Sequence, residues 1–156
     1  MRLLKSFYYA FCGVWHCVKY EMNFRIHIVA MITVILFSSI YDVPNYEKAI
    51  LTILISLVMV AELINTSTEA IVDKISPEKS ENGRIAKDTS AGAVLVFAVG
   101  AVICAVFLFS DLEKWIENVL PVIFEFWYLA VIYIILCYLF IFKFGKEKTK
   151  EKNFKS

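Results

Sequence analysis

Residues 48 to 73 read KAILTILISLVMVAELINTSTEAIVD. From Ala49 to Ala61 the run is apolar apart from Thr52 and Ser56, and then Glu62, Asn65, Glu69 and Asp73 follow in steps of three and four. At about 100° per residue those four fall within an arc of roughly 80° on a helix, so they make one polar stripe. The spacing predicts a single helix that starts as a membrane span and ends as the carrier of that stripe. An ionisable residue at membrane depth costs roughly 2.5 to 3.5 kcal/mol on insertion scales, so it is usually buried against protein and tied to a function. A solvated helix end accounts for Asp73 and at most Glu69. It does not account for Glu62 and Asn65, which stand among Val60, Leu63 and Ile64.

The rest of the chain supports a membrane setting. Hydrophobic residues make up 60% of it, above the share of about 45 to 50% usual in soluble domains. A helix needs roughly 20 mostly apolar residues to cross a hydrocarbon core of about 30 Å. Residues 24–41, 48–64, 90–109 and 121–142 meet that requirement. Residues 3–20 are rich in aromatic side chains, lack a small-residue cleavage site and run into Lys19 and Glu21. They read as an amphipathic helix at the headgroup level rather than a signal peptide.

Basic residues cluster in three places: Arg2, Lys5, Lys19 and Arg25; Lys74, Lys79, Arg84 and Lys87; and Lys143, Lys146, Lys148, Lys150, Lys152 and Lys155. The other two loops hold only Lys48 and Lys114. By the positive-inside rule both termini and the 73–90 loop are expected on the cytoplasmic side of the membrane. The net charge of +1 thus reflects orientation and carries no nucleic-acid signal. Cys12, Cys17, Cys104 and Cys137 lie in apolar helical stretches and read as reduced structural thiols. Cys12 and His16 share a helical face, but two ligands without a second pair read as interfacial packing.

The stripe has complementary neighbours. Lys87 and Asp88 in GRIAKDTSAGAVL, and Glu21 ahead of the first span, are expected at the level where Glu69 and Asp73 leave the membrane. Mg²⁺ is usually held by one or two carboxylates plus substrate phosphates, and a lysine meets phosphate oxygens. The set suits phosphoryl transfer at a membrane surface. No G-x-x-x-x-G-K-[ST], G-x-G-x-x-G, H-R-D or D-F-G pattern is present, so a soluble-kinase architecture is excluded.

AELINTSTEAIVD, with IAKDTSAGAVL downstream and EMNFRIH upstream, resembles the prokaryotic diacylglycerol kinase and undecaprenol kinase family over roughly residues 2 to 109. The resemblance implies an all-α membrane protein and homotrimer, with an N-terminal interfacial helix and three core transmembrane helices per subunit. It also implies composite sites between subunits that use ATP and Mg²⁺ to phosphorylate a lipid hydroxyl. On matching positions, it makes Glu62 the catalytic base and Glu21 and Glu69 metal ligands that also meet the nucleotide. Asn65 orients the site, Lys87 and Asp88 contact the nucleotide, Arg2 and Tyr9 do so from the surface helix, and Asp73 supports the stripe.

The resemblance divides the chain into a lipid kinase domain over residues 1–110, an additional fourth transmembrane helix over 111–145 and a basic cytoplasmic tail over 146–156. The family commonly carries a histidine in the nucleotide loop, whereas this chain has PEKSENG, so no contact carries over to Glu78, Lys79 or Ser80. EMNFRIH and AKDTSAGAV look more like the Gram-positive branch, which acts on undecaprenol, than the branch acting on diacylglycerol. A different class stays open from the residues alone: a non-catalytic assembly or transport subunit with an ion-conducting stripe. A transporter would more often show a second polar, broken helix, and apart from Glu125 the other spans are nearly uncharged.

Overall fold

The computed structural model describes residues 2–76 and 80–145. Within them every regular element is helical: α1 (Arg2–Tyr20), α2 (Met22–Ile40), α3 (Asn45–Ile75), α4 (Glu81–Leu108), the short α5 (Leu112–Lys114), a π-helical turn (Trp115–Val119) and α6 (Leu120–Phe142). Four stretches are long and apolar enough to cross a membrane, as expected. The chain is a multi-pass membrane protein.

Leu3, Leu4, Phe7, Tyr8, Phe11 and Trp15 of α1 are exposed and only Cys17 is buried, which suits a helix lying on a bilayer. Its single break from α2 is Glu21, in an extended conformation at φ −107° and ψ 114°. Glu21 therefore marks the corner where the chain turns into the membrane. Hydroxyls inside the spans satisfy themselves: Thr33, Thr52, Ser56, Ser67 and Thr68 each donate to the carbonyl four residues back, so they cost little in an apolar setting.

At the far end, α2 stops at Tyr41. Asp42 follows with φ +58°, a left-handed position that Asp tolerates. The Val43 N–H bonds back to the Ser38 carbonyl at 3.0 Å, and Pro44 prevents the helix from continuing. Tyr41, Val43 and Val119 are buried there, with Phe37, Phe109 and Trp115 packed around them. The Tyr41 hydroxyl donates to the Asp111 carbonyl at 2.8 Å and the Trp115 indole to the Phe109 carbonyl at 2.8 Å. Both buried aromatic polar atoms thus have partners.

α3, with 31 residues, is about 46 Å long and α4, with 28, about 42 Å, so each outruns the hydrocarbon core. They pack antiparallel over most of their length. Gly83 lets them close at their tips, because a Cβ there would stand 3.1 Å from Val72 Cγ1 and 3.0 Å from Ser80 Oγ. Ser80 caps α4 by accepting from the Gly83 N–H at 3.1 Å, and the Ser76 hydroxyl donates to it at 2.9 Å.

The fourth crossing is bent. Thr33 and Tyr133 share a 2.7 Å hydrogen bond, and Arg25 Nε donates to the Ile141 carbonyl at 2.9 Å. Both pairs advance eight residues, about 12 Å, so α6 runs antiparallel to α2 in step over this part. Trp115 also lies against Phe37, with ring centroids 5.1 Å apart. A straight helix would put Trp115 about 27 Å from Tyr133, whereas Phe37 is only about 6 Å beyond Thr33. The non-helical Phe126 (φ −115°, ψ 27°) resolves this conflict. Residues 112–125 therefore lie across the far rim, with Trp115 and Val119 turned inward and Leu112, Ile116 and Phe124 outward. The expected span over 121–142 lies within the apolar stretch Leu112–Phe142, and the break at Phe126 falls inside it.

Candidate functional site

The site forms where α3 leaves the bilayer. Counting down α3 from the far rim, Glu62 comes level with the start of α2, next to the corner residue Glu21. Glu62 is 3% exposed and Asn65 7%, while Glu69 is half-buried and Asp73 exposed. The stripe therefore grades from a carboxylate enclosed by protein to one in open solvent, about 16 Å along the same helix. The charges of Glu21 and Glu69 both act on Glu62, so the three carboxylates belong to one electrostatic cluster.

α4 supplies the other wall. Ser90 Oγ lies 2.7 Å from Asn65 Oδ1 and donates to it. Asn65 Nδ2 donates in turn to Glu69 Oε1 at 3.4 Å. One turn further out Lys87 Nζ meets Asp73 Oδ1 at 2.5 Å. That pair is partly solvated, so it is worth about 0 to 1 kcal/mol, and the lysine exchanges its partner for another anion at little cost.

Asp88 points elsewhere. It pairs with Arg84 at 2.6 Å, and Arg84 also holds Glu81 at 2.6 Å, all on the exposed side of α4. The structure thus gathers Glu62, Asn65, Glu69, Asp73 and Lys87, brings Glu21 alongside, and separates Asp88 from its neighbour. Arg2 and Tyr9 lie on the exposed part of α1, about 28 Å and 18 Å along the helix from Glu21. The expectations for Glu78 and Lys79 lie outside the described residues, and Ser80 is occupied as the cap of α4.

Ser90 is the member that sequence reasoning missed. Three residues after Lys87, it shares that residue's helical face, which was the available signal.

Among the described residues no three His, Cys, Asp or Glu donors converge as a ready-made cation cage. Mg²⁺ needs none, because one or two carboxylates suffice when phosphate oxygens and waters complete its shell. Glu21 and Glu69 are carboxylates of the kind that donor set uses, and the charges of both act on Glu62.

One turn of α3 inward from Glu62 opens an apolar cavity of about 260 Å³. His27, Ala30 and Val34 of α2, Leu51, Leu54 and Val58 of α3, and Ala98, Ala101 and Ala105 of α4 are among its lining. The small side chains of α4 leave the space. A buried carboxylate beside an apolar intramembrane cavity, with a lysine and further carboxylates toward the water, is the kind of arrangement that suits an enzyme working on a lipid polar group.

Comparison with known proteins gives that class a family. Residues 8–109 match the prokaryotic diacylglycerol kinase family, and the chain belongs to it. It is 41% identical over 102 residues to a diacylglycerol kinase of Synechocystis, covering 65% of this chain and 58% of that protein. It is 35% identical over 108 residues to the undecaprenol kinase of Bacillus subtilis, covering 69% and 88%. To the diacylglycerol kinase of Escherichia coli it is 32% identical over 102 residues, covering 65% and 84%. The chain thus spans less than two thirds of the Synechocystis relative and most of the other two. Family and relatives are lipid kinases by name, which sets the enzymatic reading above the transport-subunit reading.

Proposed function

We propose that this protein transfers the γ-phosphoryl group of ATP to the hydroxyl of undecaprenol, giving undecaprenyl phosphate at the cytoplasmic face of a bacterial inner membrane. The observation that carries the reading is the enclosed carboxylate of Glu62, one turn from the apolar cavity and acted on by the charges of Glu21 and Glu69. The cavity takes the first part of a lipid chain and leaves its hydroxyl at Glu62. Glu62 accepts the hydroxyl proton as that oxygen attacks the γ-phosphorus and the bond to ADP breaks. Such transfer depends mostly on positioning and on neutralising charge.

Bound Mg²⁺ would supply that neutralisation from Glu21 and Glu69. Seven residues of helix, about 10 Å, separate Glu62 from Glu69, so the base and the metal ligand have distinct tasks. Asn65, held by Ser90, keeps Glu69 aimed at the site, and Lys87 leaves Asp73 for a phosphate oxygen. Arg2 and Tyr9, about 28 Å and 18 Å along α1 from Glu21, and Asp88, which pairs with Arg84 away from the stripe, reach the nucleotide of a neighbouring subunit in a homotrimer.

The distribution of Lys and Arg supports a cytoplasmic location for both termini. The even number of crossings agrees, since Arg25 and Ile141 meet at one face. Diacylglycerol is the competing substrate, because relatives of both names match the chain. Purified protein in lipid bilayers, given labelled ATP, Mg²⁺ and either lipid at equal mole fraction, separates them. Faster labelling of undecaprenol supports the proposal. Preference for diacylglycerol reassigns the substrate, and no labelling of either by folded protein sinks the kinase reading.

A further inference from the structure

Arg25 is 6% exposed, and its bonds tie together three helices. Its Nη1 donates to the Val18 and Lys19 carbonyls at 3.0 and 3.3 Å, and its Nε to the Ile141 carbonyl at 2.9 Å. Those acceptors lie in the last turns of α1 and α6, where carbonyls lack partners inside the helix and the dipole end is negative. Only a planar fork with several fixed donors serves both helix ends from one position.

Two other features lead α6 to the same spot. Trp15 of α1 meets Phe144 edge-on, with centroids 6.1 Å apart. The guanidinium lies so close over Gly145 that a Cβ there would overlap it. The bond between Thr33 and Tyr133 sets the register that delivers Ile141 to Arg25. α6 itself lies outside the family match over residues 8–109. The Bacillus subtilis relative is covered over 88% of its length by a 108-residue match, so α6 adds to a unit that this relative builds largely without it.

We propose that α6 is a brace: through Arg25 it fixes the corner between α1 and α2 and thereby the position of Glu21. Arg25 is a positioning residue that touches neither substrate nor metal. The consequence for metal binding rests on Glu21 being a Mg²⁺ ligand, as argued above.

The full-length chain in nanodiscs, diluted with unlabelled protein, tests this. Spin labels go on the exposed Cys12 of α1 and on Ile71→Cys of α3, in a background of Cys17→Ala, Cys104→Ala and Cys137→Ala. The α1–α3 distance distribution is expected to be narrow in the parent and broad in Arg25→Lys. Gly145→Leu, which pushes the guanidinium away from outside the bundle, is expected to broaden it too and guards against a folding defect in the first variant. With ATP present, Mn²⁺ used as the probe ion should bind about tenfold more weakly in both, the lower end of the loss seen when a ligand's supporting partner is removed. Turnover at saturating metal should stay near the parent value. An unchanged distance distribution in both variants overturns the brace. Broadening with unchanged Mn²⁺ affinity upholds the brace and overturns Glu21 as a ligand.

Discussion

The hydroxyl of Ser90 offers a sharp test of the site. Its single proton serves either Asn65 Oδ1 at 2.7 Å or the Lys87 carbonyl at 2.9 Å. The carbonyl has the α4 backbone as an alternative partner; the enclosed Asn65 oxygen depends more on Ser90. Ser90→Ala removes one bond worth about 0.5 to 1.5 kcal/mol net, and an unmet buried acceptor raises the cost toward about 1 to 3 kcal/mol. A loss of about 1 to 2 kcal/mol in transition-state binding corresponds to about 5- to 30-fold in kcat/KM.

Asn65→Ala should lose more, because the amide that reaches Glu69 goes as well. The double variant should be no worse than Asn65→Ala alone, since Ser90 then has nothing to orient. Its coupling energy should therefore be close to the whole Ser90→Ala effect. Ser90→Thr, which keeps the hydroxyl, should recover most of the activity. Initial rates of lipid phosphorylation at several ATP concentrations for the four variants and the parent provide the numbers. Additive losses in the double variant would refute the chain from Ser90 through Asn65 to Glu69.

Further outcomes follow from the same geometry. Glu62→Gln should abolish turnover and keep MgATP binding, whereas Glu69→Gln should weaken the metal-dependent part of that binding; equal metal-dependent losses on titration with and without Mg²⁺ would remove the division of labour. Gly83→Val should lower stability by about 1 to 3 kcal/mol, because its side chain has no room against Val72 and Ser80, and an unchanged unfolding midpoint in detergent would contradict that. Tyr41→Phe, which loses the bond to Asp111, should cost about 1 kcal/mol in stability yet leave kcat alone, since this residue lies at the end of the bundle away from the site; a kcat loss beyond twofold would argue for coupling between the two ends.

The sequence made part of this arrangement legible. Apolar length gave the crossings, and the three-and-four spacing gave the stripe on α3, because both are properties of one helix and its own periodicity. What joins helices was harder to read. Ser90 shares a face with Lys87, but only the antiparallel seating of α4 on α3 makes it a partner of Asn65. Asp88 follows Lys87 directly, yet 100° of rotation sends it to Arg84 instead of the stripe. The bend at Phe126 carries no proline or glycine of its own; it follows from Trp115 being held at Phe37 while Tyr133 is held at Thr33. Arg25 read only as one of the basic residues that orient the chain; besides the nearby Val18 and Lys19 carbonyls it bonds to Ile141, on a helix more than a hundred residues away.

The cluster of rings at the far rim has a mechanical side. Tyr41, Trp115, Phe37 and Phe109 clamp α2 and the end of α4 there, and residues 112–125 lie across them as a strap, whereas at the opposite face α3 and α4 stretch beyond the membrane and are closed on each other at Gly83, by the Ser76–Ser80 and Asn65–Ser90 hydrogen bonds and by a half-solvated ion pair. Rods held at both ends bow most between them, so a lipid chain wedged into the cavity between α2, α3 and α4 is expected to loosen the middle of α3 more than either end. Amide hydrogen exchange along α3 should show this as faster exchange around Val58 when the cavity is filled, with little change beside Asp73.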